Sequence, residues 1–150
     1  MKELYELFVT RLSAQVPELK EIDFEMGQLE VLEINTRPSV KFPCALVDIS
    51  YSSCEDETEE IQLVNARINV RLAFECPLPT DSLATTARRT AALKLFETVD
   101  KVYAALQGYE TDDFGSFSRK SQSPDNRYAG IKIINMIFDT NFVDDTAHQQ

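Results

Sequence analysis

Carboxylates are the most abundant side chains in this sequence that could do chemistry. The chain carries 25 Asp and Glu residues against 15 Lys and Arg residues, a formal net charge of −10. Candidates for metal-assisted hydrolysis are Asp112 with Asp113, Asp139, and Asp144 with Asp145. Neighbouring side chains on a strand point to opposite faces, so each adjacent pair offers at most one ligand per side. We expect the two pairs to be solvated loop acids and Asp139 to form a salt bridge with a strand arginine.

Nucleophilic catalysis, zinc binding and phosphate binding find no support in the residue pattern. His148 is the only histidine and lies in a polar tail, where it cannot readily be held as a base. Cys44, Cys54 and Cys76 show no C-x-x-C spacing, which argues against a disulfide framework and against a zinc site. The four glycines are not clustered into a phosphate-binding loop. We therefore expect no catalytic residue, no metal and no cofactor.

The composition predicts one folded domain that is not a general nucleic-acid binder. A chain of 150 residues with 43% hydrophobic residues fits a single domain, which we place at 1–145, followed by a polar tail at 146–150. Excess negative charge disfavours binding to phosphates, which depends on Lys and Arg. Charges at Glu3, Glu6 and Arg11 interrupt the N-terminal apolar pattern, unlike a signal peptide. No apolar run approaches the roughly 18 residues of a membrane span, so we expect a soluble, intracellular protein.

Hydrophobic spacing predicts two helices. Apolar side chains recur at helical spacing over 2–15. A longer apolar stripe, which starts at Leu83, predicts a second helix at about 82–107. The residues that could cap the start of this second helix are Thr80, Asp81 and Ser82.

Alternation of apolar and polar side chains predicts strands at 21–34, 43–51, 66–76 and 130–145, with a turn at 36–39. The apolar positions change from odd-numbered to even-numbered residues, which indicates either a bulge near Val64 and Asn65 or the start of a strand there. We interpret 109–130 as mostly a loop or a wide hairpin, with short strand pieces at Phe114 and Phe117. Two helices packed on one face of a mainly antiparallel sheet give an α+β fold.

The strand at 66–76 raises the question of what its outer face contacts. Arg67, Asn69 and Arg71 share that face, and the two arginines are roughly 7 Å apart along the strand. They are interpreted as exposed charges that discourage edge aggregation, as partners of acids in a neighbouring subunit, or as nucleic-acid contacts. Because the chain is acidic, we expect them to face protein rather than phosphate.

An acidic run at 55–60 is a second candidate for the interface. Its charged members are Glu55, Asp56, Glu57, Glu59 and Glu60. Like charges at this density repel, so the run is interpreted as a solvated hairpin tip. The other interpretation is a docking surface for a basic partner.

Two pairs of cations and one apolar face complete the candidate interface. Arg88 and Arg89 lie near the start of the second helix, where the macrodipole does not favour cations, and Arg119 and Lys120 lie in a polar loop. The last strand has two apolar faces, so it is either covered on both or awaits a neighbouring chain. The residues of that strand assigned to the interface are Ile134, Met136 and Phe138.

The chain resembles a known family in the order of its elements rather than in any single motif. In chain order it consists of an N-terminal helix, "PCALVDIS", a charged hairpin, "ARINVRLAFEC", a helix ending in "VYAALQGY", and "FSRKSQSPDNRYAG" leading into "IKIINMIFDTNF". Together these stretches resemble the tail-terminator (tail-completion) proteins of long-tailed bacteriophages and prophages. The resemblance spans about residues 2–145.

This resemblance implies a structural role without catalytic residues. Members of the family form a ring, commonly a hexamer, on the head-proximal end of the tail tube, where the ring halts tube polymerisation and binds the neck proteins of the head. The implied partners are copies of the same chain, tail-tube proteins and head–tail joining proteins, with DNA passing through the channel and no membrane. The implied locations are the host cytoplasm during assembly and the virion tail. The implied fold is a sheet with helices on one side.

Two functions of other classes remain open. A small intracellular adaptor domain could bind a basic protein partner through the acidic run at 55–60 in a salt-sensitive manner. A metal-dependent hydrolase would instead use the aspartates and would respond to Mg²⁺ or Mn²⁺.

Overall fold

The computed structural model describes residues 1–30, 40–76 and 80–148. Its elements in chain order are α1 (Lys2–Gln15), β1 (Glu21–Phe24), β2 (Cys44–Asp56), β3 (Gln62–Glu75), α2 (Thr86–Ala92), α3 (Leu95–Leu106), β4 (Ser118–Asp125) and β5 (Ile131–Asp144). The strand predicted at 21–34 ends at Phe24, so that prediction is wrong for 25–30, which contain bends and a turn. The predicted turn at 36–39, residues 31–34 and the final two residues of the polar tail lie outside the described residues.

The five described strands form one sheet in the order β1-β2-β3-β5-β4. β1 runs parallel to β2, and the remaining neighbours in this order are antiparallel. β3 and β5 pair along their whole length, from Gln62 opposite Asp144 to Glu75 opposite Ile131. β3 is therefore the central strand, and β4 and β1 form the two edges.

One face of this sheet is buried beneath α1 and α3. In β3 every even-numbered side chain from Ala66 to Phe74 is buried, as period-two alternation predicts. Leu4, Phe8 and Leu12 are four residues apart, so they share one side of α1, and all three are buried. The buried side chains of α3 are Thr98, Val99, Val102, Ala105 and Leu106. The predicted α+β fold, with helices on one face of a mainly antiparallel sheet, is confirmed.

The opposite face of the sheet is covered at one end only. A second, smaller core lies there, formed by Leu29, Val40, Cys44, Leu46, Ala73 and Ile133. Burial raises the pKa of the Cys44 thiol to about 12, so this cysteine behaves as a small hydrophobic side chain. The rest of this face carries polar side chains and has no layer over it among the described residues.

Both faces of β5 are covered near its start, which corrects part of the predicted interface. Ile134, Met136 and Phe138 lie in the core with the helices, while Ile133 lies in the smaller core on the other side. β5 also lies between β3 and β4 rather than at an edge. The interpretation in which Ile134, Met136 and Phe138 await a neighbouring chain is therefore wrong, because this chain buries them itself.

The helix predicted at 82–107 is shorter at its start and divided in two. Thr85 is its N-cap, since its Oγ1 accepts a hydrogen bond of 3.3 Å from the backbone N–H of Arg88. The expected caps Thr80, Asp81 and Ser82 are therefore wrong, and Leu83 is almost fully exposed. A turn at 93–94 separates α2 from α3. The apolar spacing continues through both segments, but only α3 packs extensively on the sheet.

The segment 109–130, interpreted as mostly loop, contains the edge strand β4. Its residues are nearly all polar and exposed, so no apolar alternation marks it; Pro124 is tolerated because β4 has a free edge. Phe114 and Phe117 are buried in the core before β4 begins, so the predicted strand pieces at these residues are wrong. The bulge predicted near 64–65 lies instead on β2, between Tyr51 and Ser53.

We predict that Phe138→Ala lowers the free energy of unfolding by about 3–5 kcal/mol, because it leaves a cavity beneath the helices. The matched control is Val143→Ala on the same strand, where the side chain is 53% exposed and the expected loss is within about 1 kcal/mol. Urea unfolding followed by far-UV circular dichroism measures both. Equal losses in the two variants would contradict the assignment of Phe138 to the core.

Candidate interaction surface

The first candidate surface is the second sheet face, including the part that no described segment covers. Arg67, Asn69 and Arg71 lie on this face, as the alternation of β3 predicts. Their neighbours across the strands include Asp48, opposite Asn69 on β2, and Asp139, opposite Arg67 on β5. The face is therefore a row of polar and charged groups rather than an apolar layer.

Arg67 and Asp139 form a two-point ion pair across β3 and β5. The Nε and Nη2 groups of Arg67 donate to Oδ1 and Oδ2 of Asp139 at 3.0 and 3.2 Å, and these hydrogen bonds raise the pKa of the guanidinium. The salt bridge expected from Asp139 to a strand arginine is confirmed. Because about half of the Arg67 side chain is exposed, this pair adds little stability and leaves the guanidinium accessible from outside.

Arg71 is different, because it is buried and paired within its own chain. Its Nη1 donates to Oε1 of Glu30 at 2.9 Å and to Oε2 of Glu25 at 3.4 Å, and its Nη2 donates to Oδ2 of Asp125 at 3.0 Å. Only 9% of the Arg71 side chain is exposed. The interpretation of Arg71 as an exposed charge, or as a partner for acids of a neighbouring subunit, is therefore wrong.

A second arginine, Arg127, binds two of the same carboxylates. We call the five residues together the Arg71 network; they are Glu25, Glu30, Arg71, Asp125 and Arg127. Nη2 of Arg127 donates to Oδ2 of Asp125 at 2.7 Å and to Oε1 of Glu30 at 3.1 Å. Hydrogen bonds from Arg127 hold the pKa of Asp125 at about 2, and the hydrogen bond from Arg71 lowers the pKa of Glu30. The network ties the segment after β1 to the central strand and to the β4–β5 hairpin.

Sequence reasoning missed the acids of this network and Arg127. The one local signal is the spacing of Asp125 and Arg127, which are two residues apart and paired in the structure. Nothing local links them to Glu25 and Glu30, since these lie about a hundred residues earlier in the chain.

A recess of about 360 Å³ opens beside the Arg71 network. Asp48, Asn69 and Asn135 line it, on three adjacent strands. Within the described residues, the Oδ1 atoms of Asn69 and Asn135 are buried and accept no hydrogen bond. The recess is therefore lined by amide side chains on the same face as Arg67, but their unpaired Oδ1 atoms are closed off from solvent.

The second candidate surface is the acidic tip, defined as Glu55, Asp56, Glu57, Glu59 and Glu60. The backbone N–H groups of Glu57 and Thr58 both donate to the carbonyl oxygen of Ile61, which closes the β2–β3 hairpin. All five acidic side chains are exposed, so the predicted solvated hairpin tip is confirmed. The C-terminal tail touches this tip, since Nδ1 of His148 lies 2.7 Å from Oε2 of Glu60.

The third candidate is the basic helix surface, which combines cations with exposed apolar side chains around α2. Its members are Leu83, Arg88, Arg89, Leu93, Lys94 and Phe96. Arg88 is exposed, whereas Arg89 is half-buried and its Nη1 donates to the carbonyl oxygen of Asp81 at 3.4 Å. A recess of about 370 Å³ lies between α2, the start of α3 and the end of β3, and Lys94 lines it.

Arg119 and Lys120, the second pair of cations assigned to the interface, lie at the start of β4 and differ in their contacts. The guanidinium of Arg119 lies over the ring of Tyr103, 3.9 Å from its centre, and its Nη1 donates to Oε1 of Gln122 at 2.9 Å. Lys120 is exposed on the edge strand. Arg119 thus fastens β4 to α3, while Lys120 remains accessible.

The described parts of the chain contain no group of three or more His, Cys, Asp or Glu side chains placed to hold a metal ion. Across the same residues, none of the helices combines the length and the apolar character needed to traverse a bilayer.

Comparison with known proteins bears on the fold. No family model matches the chain, and no curated protein matches it. One solved structure with a similar fold is a chain of the virion of a native gene transfer agent (GTA) particle, with a TM-score of 0.50 and 11% sequence identity. The match covers 91% of this chain and 92% of that chain. At this identity the likeness is one of fold, over nearly the full length of both chains.

We predict that Arg71→Met destabilises the protein by about 2–4 kcal/mol, because it leaves three carboxylates close together without their buried cation. Arg67→Met is the matched control, on the same strand and face, and should cost much less because its pair is exposed. Chemical denaturation at neutral pH measures both. Similar losses for the two variants would contradict the different roles assigned to these arginines.

Acid should weaken the fold through Asp125. Its pKa is about 2 in the folded chain against an ordinary 3.8, so its contribution is present above about pH 4 and is lost as the pH falls towards 2. Asp125→Asn should flatten the pH dependence of stability in this window. Arg127→Gln should flatten it as well, since it removes the main cause of the shift, and an unchanged slope in both variants would contradict the assignment.

Proposed function

We propose that this protein is a structural component of a phage-type particle. The observation that carries the proposal is the likeness in fold to a chain of a GTA virion, which extends over 91% of this chain and 92% of the other. A match over nearly the full length of two chains is evidence about the whole domain rather than about a shared supersecondary unit. Together with the resemblance in element order, it favours a particle component over an enzyme, and we assign no catalytic residue.

Within such a particle, we propose that copies of the protein form a ring on the head-proximal end of the tail tube. There it ends tube polymerisation and offers the surface to which head–tail joining proteins bind. A ring of identical chains needs two different surfaces on each subunit, since a head-to-tail contact joins unlike patches. The acidic tip and the basic helix surface are two such unlike patches. Six subunits would follow the family pattern.

The charge of the chain suits a channel through which DNA passes. With a formal net charge of −10, the wall of such a ring would repel phosphates rather than hold them. DNA in this proposal passes through the channel and is not bound as a ligand.

An adaptor that binds a basic protein is the second candidate, because the five acids of the acidic tip are all exposed. The two functions differ in what the purified chain does alone. An adaptor binds its basic partner and needs no copies of itself, whereas the particle component acts through assembly.

We predict that deleting the gene from the phage or prophage that carries it yields tail tubes of uncontrolled length without attached heads. Negative-stain electron microscopy of induced lysates measures tube length and head attachment. Supplying the wild-type gene in trans should restore tubes of uniform length, and supplying Phe138→Ala, which lowers stability, should restore it only partly. Normal tubes with heads in the deletion strain would contradict the proposed function.

A further inference from the structure

We propose that copies of this chain join head to tail, with the acidic tip of one copy against the basic helix surface of the next. The proposal rests on the ring proposed above and adds the two surfaces that would form its repeating contact. Its occupant is a second copy of the same chain.

The two surfaces lie at opposite ends of the sheet. The acidic tip connects the end of β2 to the start of β3. The recess beside α2 is lined by Phe74, Glu75 and Cys76, at the end of β3. A strand of the length of β3 spans about 45 Å, so the two surfaces of one chain cannot touch each other. Any contact between them must join two copies.

The charges of the two surfaces are complementary. The acidic tip carries five acids in six residues, and Asp144 lies beside it, paired with Gln62 at the base of the hairpin. Residues 85–94 carry Arg88, Arg89 and Lys94 and contain no acid, in a chain whose net charge is −10. Opposite patches of this kind guide association and set its register.

The basic helix surface also carries the apolar groups that a stable contact needs. Leu83 is 95% exposed, and Leu93 and Phe96 are each about 40% exposed. Arginine and aromatic side chains such as Phe96 are enriched at protein interfaces, and the exposed leucines add apolar area that a contact would bury. At the other end Val143, opposite Leu63, is also exposed. Each of the two charged surfaces therefore also has exposed apolar side chains in it or beside it.

The charges that would be used are free to pair with another copy. Within the described residues, the side chains of Glu55, Glu57, Glu59, Arg88 and Lys94 have no hydrogen-bonding or ionic partner, and all five are exposed. Reversing them should leave the fold intact, because substitutions at exposed positions without partners have small effects on stability.

The test is a charge-swap experiment on the full chain. The first variant is Glu55→Lys with Glu57→Lys and Glu59→Lys, which turns the tip from five negative charges to a net charge of +1, and the second is Arg88→Glu with Lys94→Glu, which turns the helix surface to a net charge of −1. Each makes both surfaces carry the same sign, so each alone should weaken self-association at least about tenfold, as close interfacial charge pairs do. Size-exclusion chromatography with light scattering at low salt measures the mass over a range of concentrations.

Mixing the two variants provides the decisive result. In the mixture every tip can meet a helix surface of opposite sign on the other variant, so assembly should return with the two chains alternating. The control is Lys2→Glu, which shifts the net charge in the same direction as the second variant but lies at neither surface. The control should keep the wild-type mass, and all variants should keep the wild-type melting behaviour.

The outcomes separate this contact from the proposed function. Unchanged mass in both charge-reversed variants, no recovery in the mixture, or a wild-type chain that stays monomeric at high concentration and low salt would each overturn the head-to-tail contact. Normal tail length after gene deletion would overturn the particle function instead, even if the charge-swap result held.

Discussion

The alternation of the central strand is the constraint on which the rest of the structure depends. β3 pairs with β2 on one side and with β5 along its whole length on the other. Its even-numbered side chains form the floor beneath α1 and α3. Its odd-numbered side chains form the opposite face, which is polar from Asn65 to Arg71 and has Ala73 in the smaller core. A slip of one residue would exchange these two sets, placing Arg67 and Arg71 under the helices. The register of the whole sheet is thus held by the burial of one row of side chains.

The same alternation explains why two arginines of similar sequence context have different roles. Arg67 lies where no described segment covers the second face, and it pairs with Asp139. Arg71 lies four residues on, where the segment after β1 folds over the face and brings Glu25 and Glu30 to it. A buried cation with several carboxylates is a specific anchor, because removing it leaves uncompensated charge. It fastens a segment with little regular structure to the sheet.

The two ends of the sheet differ in their chemistry. The acidic tip and the basic helix surface are separated by the length of β3, so neither neutralises the other within the chain. The likeness in fold to a chain of a GTA virion extends over 91% of this chain.

The sequence by itself determined α1, the strands β2, β3 and β5, and the layered α+β arrangement, because apolar periodicity reports directly which side chains a helix or strand buries. It also indicated the exposed acidic tip and the pairing of Asp139. Only the tertiary structure decided that β4 is a strand, since its polar residues carry no periodic signal and its pairing comes from β5. Only the tertiary structure decided the partners of Arg71 and the burial of Ile134, Met136 and Phe138, because these depend on segments distant in the chain that pack over each face.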